Sequence, residues 1–273
     1  MEKNANPLYL FCFARSESVP ELQVTGVDGQ RPVFVLRAFP GLCAVVSETA
    51  LEDFCGPTAE QRMEQLAWIS PRALRHESVV EEVMRHSPVL PTRFGTLFSS
   101  REKLTEFLAQ HHEAITRFLG RVADQDEWSL KGFLNRRQAV QSLTSERLAA
   151  AQAQLARLSP GRRYFEEKRV RAEAEKELQR WVNQTCNDLA SELREQAADF
   201  YDCGARQSAS SPEDESEMVM NWAFLLGKSA AARFRSRIDR LNSRPPAPVL
   251  AFELSGPWPP YRFVPPLLTG APP

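Results

Sequence analysis

The stretch LSPGRRY, residues 158–164, sits inside a long helical pattern and breaks it once. Before the break, Leu148, Ala151, Leu155 and Leu158 recur at steps of three and four. After it, Leu178, Val182, Cys186, Leu189, Leu193, Ala197 and Phe200 do the same. Apolar stripes at that spacing line one face of a helix, and a Pro-Gly turn between two of them predicts an antiparallel helical hairpin over about 136–200. The other faces carry mixed Arg, Lys, Glu and Gln, the composition of a solvated surface.

Outward from the hairpin the pattern becomes β-like. EWSLKGFL, residues 127–134, predicts a strand with Trp128, Leu130 and Gly132 on one face. MVMNWAFLL (218–226) and PVLAFEL (248–254) predict two more, and a further strand is expected near 202–207. KSAAARFRSRIDRLNSR (228–244) predicts a helix with Phe234, Ile238 and Leu241 inward and Arg233, Arg235, Arg237, Arg240 and Arg244 mostly outward. The polar, acidic stretch 208–217 reads as a loop. The order β, helical hairpin, β, β, α, β is a split βαβ, ferredoxin-like plan with its first crossover enlarged.

The first part of the chain follows a related plan. LYLFCFAR (8–15) predicts a strand with Tyr9, Phe11 and Phe13 on one face and Leu8, Leu10 and Cys12 on the other. PVFVLRAF and LCAVVSE flank Pro40-Gly41 and predict a hairpin. A helical period runs over 58–85, with Ser70 expected as N-cap and Pro71 as a first helical residue. VLPTRFGTLF (89–98) returns to β character, and a helix capped by Ser99 or Ser100 follows. The fold class is therefore α+β with two ferredoxin-like domains: 1–122, and 123–264 with the hairpin inserted. Residues 265–273 are expected to form a flexible tail.

Bulk properties narrow the function. The chain has 273 residues, 42% hydrophobic and 25% charged, with net charge −1. Such a chain has no global field that favours nucleic acid or an anionic membrane, and no apolar run long enough to span one. The N-terminus lacks a signal-peptide pattern, so a cytoplasmic location is expected. Five scattered cysteines form no CxxC pair, and the four histidines include no i, i+4 pair, so no metal site is expected. Gly227-Lys228-Ser229 has the ending of a P-loop, but its first glycine would fall at Trp222. No GxSxG elbow is present. No catalytic residue and no cofactor are expected.

Three stretches carry a resemblance. HESVVEEVMRHSPVLPTRFGTLF (76–98), EWSLKGFL (127–134) and SGPWPPYRFV (255–264) stand in the order seen in the gas vesicle protein F/L family, and GRRYFEEKR (161–169) matches more loosely. The chain resembles that family over nearly its whole length. The resemblance implies a non-enzymatic protein of gas vesicle assembly, cytoplasmic and associated with the buoyancy-giving vesicles. Its partners would be the hydrophobic shell subunit and other accessory proteins. It also implies two ferredoxin-like domains, one with a coiled-coil insertion.

The structural motif residues expected from these stretches are Glu77, Pro91, Arg93, Phe94, Gly95, Trp128, Gly256, Pro257, Trp258, Pro259, Pro260 and Tyr261. Pro91 suggests a strand edge or bulge. Arg93 lies in an apolar run and is expected to pair with Glu77, or with Glu48. The prolines of 257–260 stiffen the backbone, so the segment is expected to latch onto the chain's own domains. The competing use is as a ligand for a proline-reading partner. An RNA- or peptide-binding ferredoxin-like module is the alternative function, with the rings of 8–13 stacking on bases and the arginine-rich helix supplying charge.

Overall fold

The computed structural model describes residues 7–205, 216–243 and 250–266. They form two compact units. The first comprises 1–127 with 257–273, and the second 128–256. The division expected at 122/123 thus falls at 127/128, and the C-terminal segment groups with the first unit, where a boundary after 264 was expected. The tail and the acidic loop lie largely outside the described residues.

In the first unit, β1 (Leu8–Arg15), β2 (Val33–Phe39), β3 (Leu42–Glu48) and β4 (Val89–Pro91) form an antiparallel sheet in the order β2-β3-β1-β4, and β5 (Leu97–Phe98) pairs with β1. The helices are α1 (Pro57–Met63), α2 (Leu66–Met84) and α3 (Arg101–Arg121). β1 is buried from Leu8 to Ala14, as expected of a central strand covered on both faces.

The face assignment of β1 needs a correction. Its register against β3 shifts between Leu10 and Cys12, so the alternation changes phase there. Tyr9, Phe11, Cys12 and Ala14 join the core with Val79, Val80 and Val83 of α2. Phe13, expected beside Tyr9 and Phe11, instead stacks on Phe107 of α3 at 5.9 Å. A two-residue period cannot reveal an irregularity that tertiary pairing introduces.

Pro71 also departs from expectation. α2 runs through it from Leu66, with Gln65 and not Ser70 at the N-cap. Pro71 lies only in the second turn, so it removes a single backbone hydrogen bond close to the helix start. Ser100 does cap α3, accepting a hydrogen bond from the Lys103 amide at 3.3 Å.

The second unit is built on β6 (Gln125–Leu134), β7 (Asp199–Asp202), β8 (Glu217–Gly227) and β9 (Leu250–Trp258), in the order β7-β8-β6-β9. β7 begins three residues earlier than expected, and α5 ends at Arg194, so Phe200 belongs to a strand. Trp128, Leu130, Trp222, Phe224, Phe234 and Ile238 are among its buried core residues. Gly132 is buried in the same alternation, and a Cβ there would lie 2.5 Å from Met220 Cγ.

Two helices, α4 (Arg136–Leu155) and α5 (Pro160–Arg194), fill the crossover between β6 and β7. Ala139, Val140, Leu178 and Val182 pack with Leu134 at its base. Arg136 binds Glu217 at 2.6 Å, and Arg147 pairs with Glu177. The last helix, α6 (Ala231–Asn242), is tied to α5 by two hydrogen bonds from Arg237 to Glu192, at 2.5 and 2.7 Å. Its N-cap is Ala230, with no side-chain cap, so Lys228 and Ser229 belong to the preceding turn and not to a capping motif.

One close approach gives a direct test of the first unit. A Cβ on Gly26 would stand 2.5 Å from Ser47 Oγ, 2.7 Å from Ser47 Cβ and 3.2 Å from the Arg31 carbonyl. Ser47 is fully buried and cannot swing away. Gly26→Ala should therefore destabilise the chain by about 1–3 kcal/mol, the usual range for overpacking. A urea midpoint equal to wild type would contradict this contact.

Candidate functional site

α2 aims His76 and Glu77 toward the first unit's core, and β1 supplies Tyr9 from below. The Tyr9 hydroxyl donates to His76 Nδ1 at 2.9 Å. His76 Nε2 donates to the Thr92 carbonyl at 3.2 Å, since a carbonyl can only accept. The Gly95 amide donates to the Tyr9 hydroxyl at 3.1 Å. The Thr92 hydroxyl is directed at the Leu10 and Phe11 carbonyls, at 2.6 and 2.9 Å. This network pins the loop after β4 onto β1. Burial holds His76 neutral, pushing its pKa down to about 4, and pushes the Tyr9 phenol up.

Every hydrogen-bonding atom of the imidazole is thus used structurally. No part of the expected motif in α2 hinted at Tyr9 as its partner. The signal was present only as a tyrosine in an otherwise apolar strand, a residue that seeks a polar contact when buried.

The C-terminal segment adds the second half of the site. Pro259 and Pro260 are buried, Pro257 is exposed, and Trp258 is 38% exposed. A 3-10 turn, Tyr261–Phe263, follows, and Phe263 is buried. The Tyr261 ring lies 6.4 Å from the His76 ring. Its hydroxyl is buried beside the Glu77 carboxyl without a hydrogen bond of good geometry, and burial followed by the nearby Glu77 charge pushes that phenol up. The Arg262 amide donates to Glu127 Oε2 at 2.9 Å.

Glu127 is the unforeseen member. It is 6% exposed and sits where β6 begins. Burial pushes its pKa up to about 7; the Arg262 amide and guanidinium lower it, and the Glu77 carboxyl adds to the rise. Burial also raises Glu77, partly offset by Tyr261 and reinforced by Glu81. Two carboxyls and two phenols therefore share one poorly hydrated place.

Other expected motif residues go elsewhere. Arg93 is exposed, and among the described residues no ion pair joins it to Glu77. β4 ends at Pro91, Thr92 takes the buried position, and the turn that follows sends Arg93 outward. That turn is secured by the Arg93 carbonyl, which accepts from both the Thr96 amide and hydroxyl. Gly95 has φ of 84°, in the left-handed region glycine favours. Phe94 rings Tyr9, Phe54 and His76 at about 6 Å. Pro91 closes the terminal strand of the sheet path. Trp128 belongs to the second unit, under the Arg235 guanidinium at 5.1 Å, and Gly256 is that unit's last residue.

The rings expected to stack on bases are unavailable for it: Tyr9, Phe11 and Phe13 are buried. Arg237 is committed to Glu192, and Arg235 to Trp128. Among the described residues no group of three or more metal-ligating side chains occurs, and no helix is long and apolar enough to cross a membrane.

Fold and site together define an α+β chain with antiparallel sheets whose most concentrated polar chemistry fastens its own backbone. The chain belongs to the gas vesicle synthesis protein GvpL/GvpF family, whose model matches residues 7–265. It is 25% identical to gas vesicle protein L of Streptomyces sp. (strain CB03234) over 245 residues, covering 87% of this chain and 85% of that protein. It is also 25% identical to gas vesicle protein L2 of Halobacterium salinarum over 281 residues, covering 97% and 93%. The fold is similar to the crystal structures of GvpF from Anabaena sp. PCC7120 (TM-score 0.65, 20% identity, 95% and 98% covered) and from Microcystis aeruginosa (TM-score 0.61, 17% identity, 95% and 99% covered).

Proposed function

We propose that this chain is a non-enzymatic accessory or minor structural protein that binds the hydrophobic gas vesicle shell subunit during assembly, in the cytoplasm and together with other accessory proteins. Membership of the family supports the gas vesicle role. The observation that carries the binding step lies on α2. Leu66, Ala67, Ser70 and Leu74 are all exposed, Leu66 by 78% and Leu74 by 69%. They follow at steps of one, three and four, so they form one uncharged stripe along the helix. Two leucines so open to water lose nothing of their own fold when covered, and each offers about 1.5–3 kcal/mol of apolar burial. A shell subunit with an apolar face is the partner such a stripe suits.

The second unit's strand order, β7-β8-β6-β9, supports a ferredoxin-like reading of that domain, with α4 and α5 as its coiled-coil insertion. In the first unit the order β2-β3-β1-β4 supports a modified version of the same plan.

The test is co-expression with the shell subunit followed by affinity capture of this chain. A Leu66→Glu/Leu74→Glu double variant should retain the wild-type melting temperature and capture less shell subunit by about tenfold or more. Undiminished capture by that variant would remove the stripe from the interface; no capture by the wild type would remove the shell subunit as partner.

A further inference from the structure

We propose that residues 259–263 form a proton-controlled strap on the first unit, closed when at least one of the buried Glu127 and half-buried Glu77 carboxyls is protonated and loosened when both are ionised. The geometry is that of a fastening with one weak point. Pro259, Pro260 and Phe263 supply buried apolar contact, and the prolines limit the disorder regained on release. The only backbone amide that the strap gives to a side chain of the body beneath it, among the described residues, is that of Arg262, and its acceptor is Glu127 Oε2. The fastening therefore runs through a titratable atom.

The groups around that atom set the direction. From α2 come Glu77, with Glu81 acting on it, and neutral His76. From β1 come Tyr9 and Cys12, both held in their neutral forms by burial, and both facing Tyr261. The strap itself brings Tyr261 and the Arg262 guanidinium. One cation, on the exposed Arg262, thus stands against two carboxyls among the described residues. A single proton on the pair leaves one negative charge opposite one positive charge. Removing it places two like charges in a site that water reaches poorly, which costs energy only while the strap is closed.

When the strap opens, Glu127 and Glu77 regain water and ordinary acidity. The closed form therefore binds protons more tightly than the open form, and opening becomes easier as pH rises from the ordinary carboxylate range toward 7. His76 keeps its partners Tyr9 and Thr92 in both forms, so its own titration does not enter this local equilibrium. What release bares is the apolar and carboxyl-lined surface beneath Tyr261 on the first unit.

The experiment is amide hydrogen exchange of the intact chain at pH 5, 6, 7 and 8, corrected for the intrinsic pH dependence of exchange. Protection of the Arg262 and Phe263 amides should fall at least about tenfold between pH 5 and 8, while that of the β1 amides does not follow it. Glu127→Gln, which keeps an acceptor for the Arg262 amide and cannot ionise, should flatten the pH dependence of strap protection to the smaller part that Glu77 contributes. Glu77→Gln should move the midpoint to lower pH by removing the neighbouring charge. Strap protection that stays level with pH in the wild type, or that changes as much in Glu127→Gln as in the wild type, overturns the proposal. If Glu127→Gln does not fold, an unmoved midpoint in Glu77→Gln does the same.

Discussion

A His76→Ala chain is expected to lose about 3–5 kcal/mol of stability, enough to unfold a marginal domain. The ring is 3% exposed and touches the rings of Tyr9, Phe11, Phe94 and Tyr261. Its removal leaves a cavity, and it strips the Tyr9 hydroxyl of its acceptor and the Thr92 carbonyl of its side-chain donor. Tyr9→Phe separates the two contributions. It keeps the packing but deletes the donor to His76 Nδ1 and the acceptor for the Gly95 amide, so a loss of about 1–3 kcal/mol is expected. Urea unfolding measures both. If His76→Ala costs less than Tyr9→Phe, the imidazole is not the centre of the network.

The second large effect is a change in how stability depends on pH when Glu127 is replaced by Gln. Burial raises Glu127 from 4.5 to about 7, so its proton is held more tightly in the folded chain. The stability linked to that proton is complete below about pH 4.5 and is lost as pH rises through 7. His76 works the other way, since burial lowers it from 6.5 to about 4. Its contribution is complete above pH 6.5 and is lost as pH falls through 4. Between about pH 4.5 and 6.5 these two slopes oppose each other and nearly cancel.

Glu127→Gln removes one slope and leaves the other. The variant should match the wild type near pH 4.5 and exceed it by about 3 kcal/mol at pH 8, at about 1.4 kcal/mol per pH unit. Denaturant midpoints of the two chains across that range provide the comparison. A stability difference that does not change with pH would mean that Glu127 is solvated in the folded chain.

Much of the local structure follows from short-range rules. The hairpin break at Pro160, the strands over 8–15, 33–39, 42–48 and 127–134, and the Ser100 cap are set by side-chain period, by turn residues and by a hydroxyl at the right offset. The α+β class with antiparallel sheets follows from the order of those pieces, and the family motifs lie on the same segments. Pro71 shows the margin of such rules: proline disfavours a helix interior, yet α2 tolerates it in its second turn because packing of Val79, Val80 and Val83 outweighs one missing hydrogen bond.

The sequence by itself determined most of the helices and strands, though not where α2 starts or where α5 gives way to β7, and it determined that the C-terminal prolines make a stiff, low-entropy segment. Only the tertiary structure decided what those segments do to one another. It moved Phe13 onto α3 through a bulge, turned Arg93 to solvent, and brought Glu127 under a backbone amide 135 residues further along the chain. Period and propensity are properties of neighbours in sequence, whereas the ionisation of a carboxyl depends on the water and charge around it, and those are set by residues the chain delivers from elsewhere.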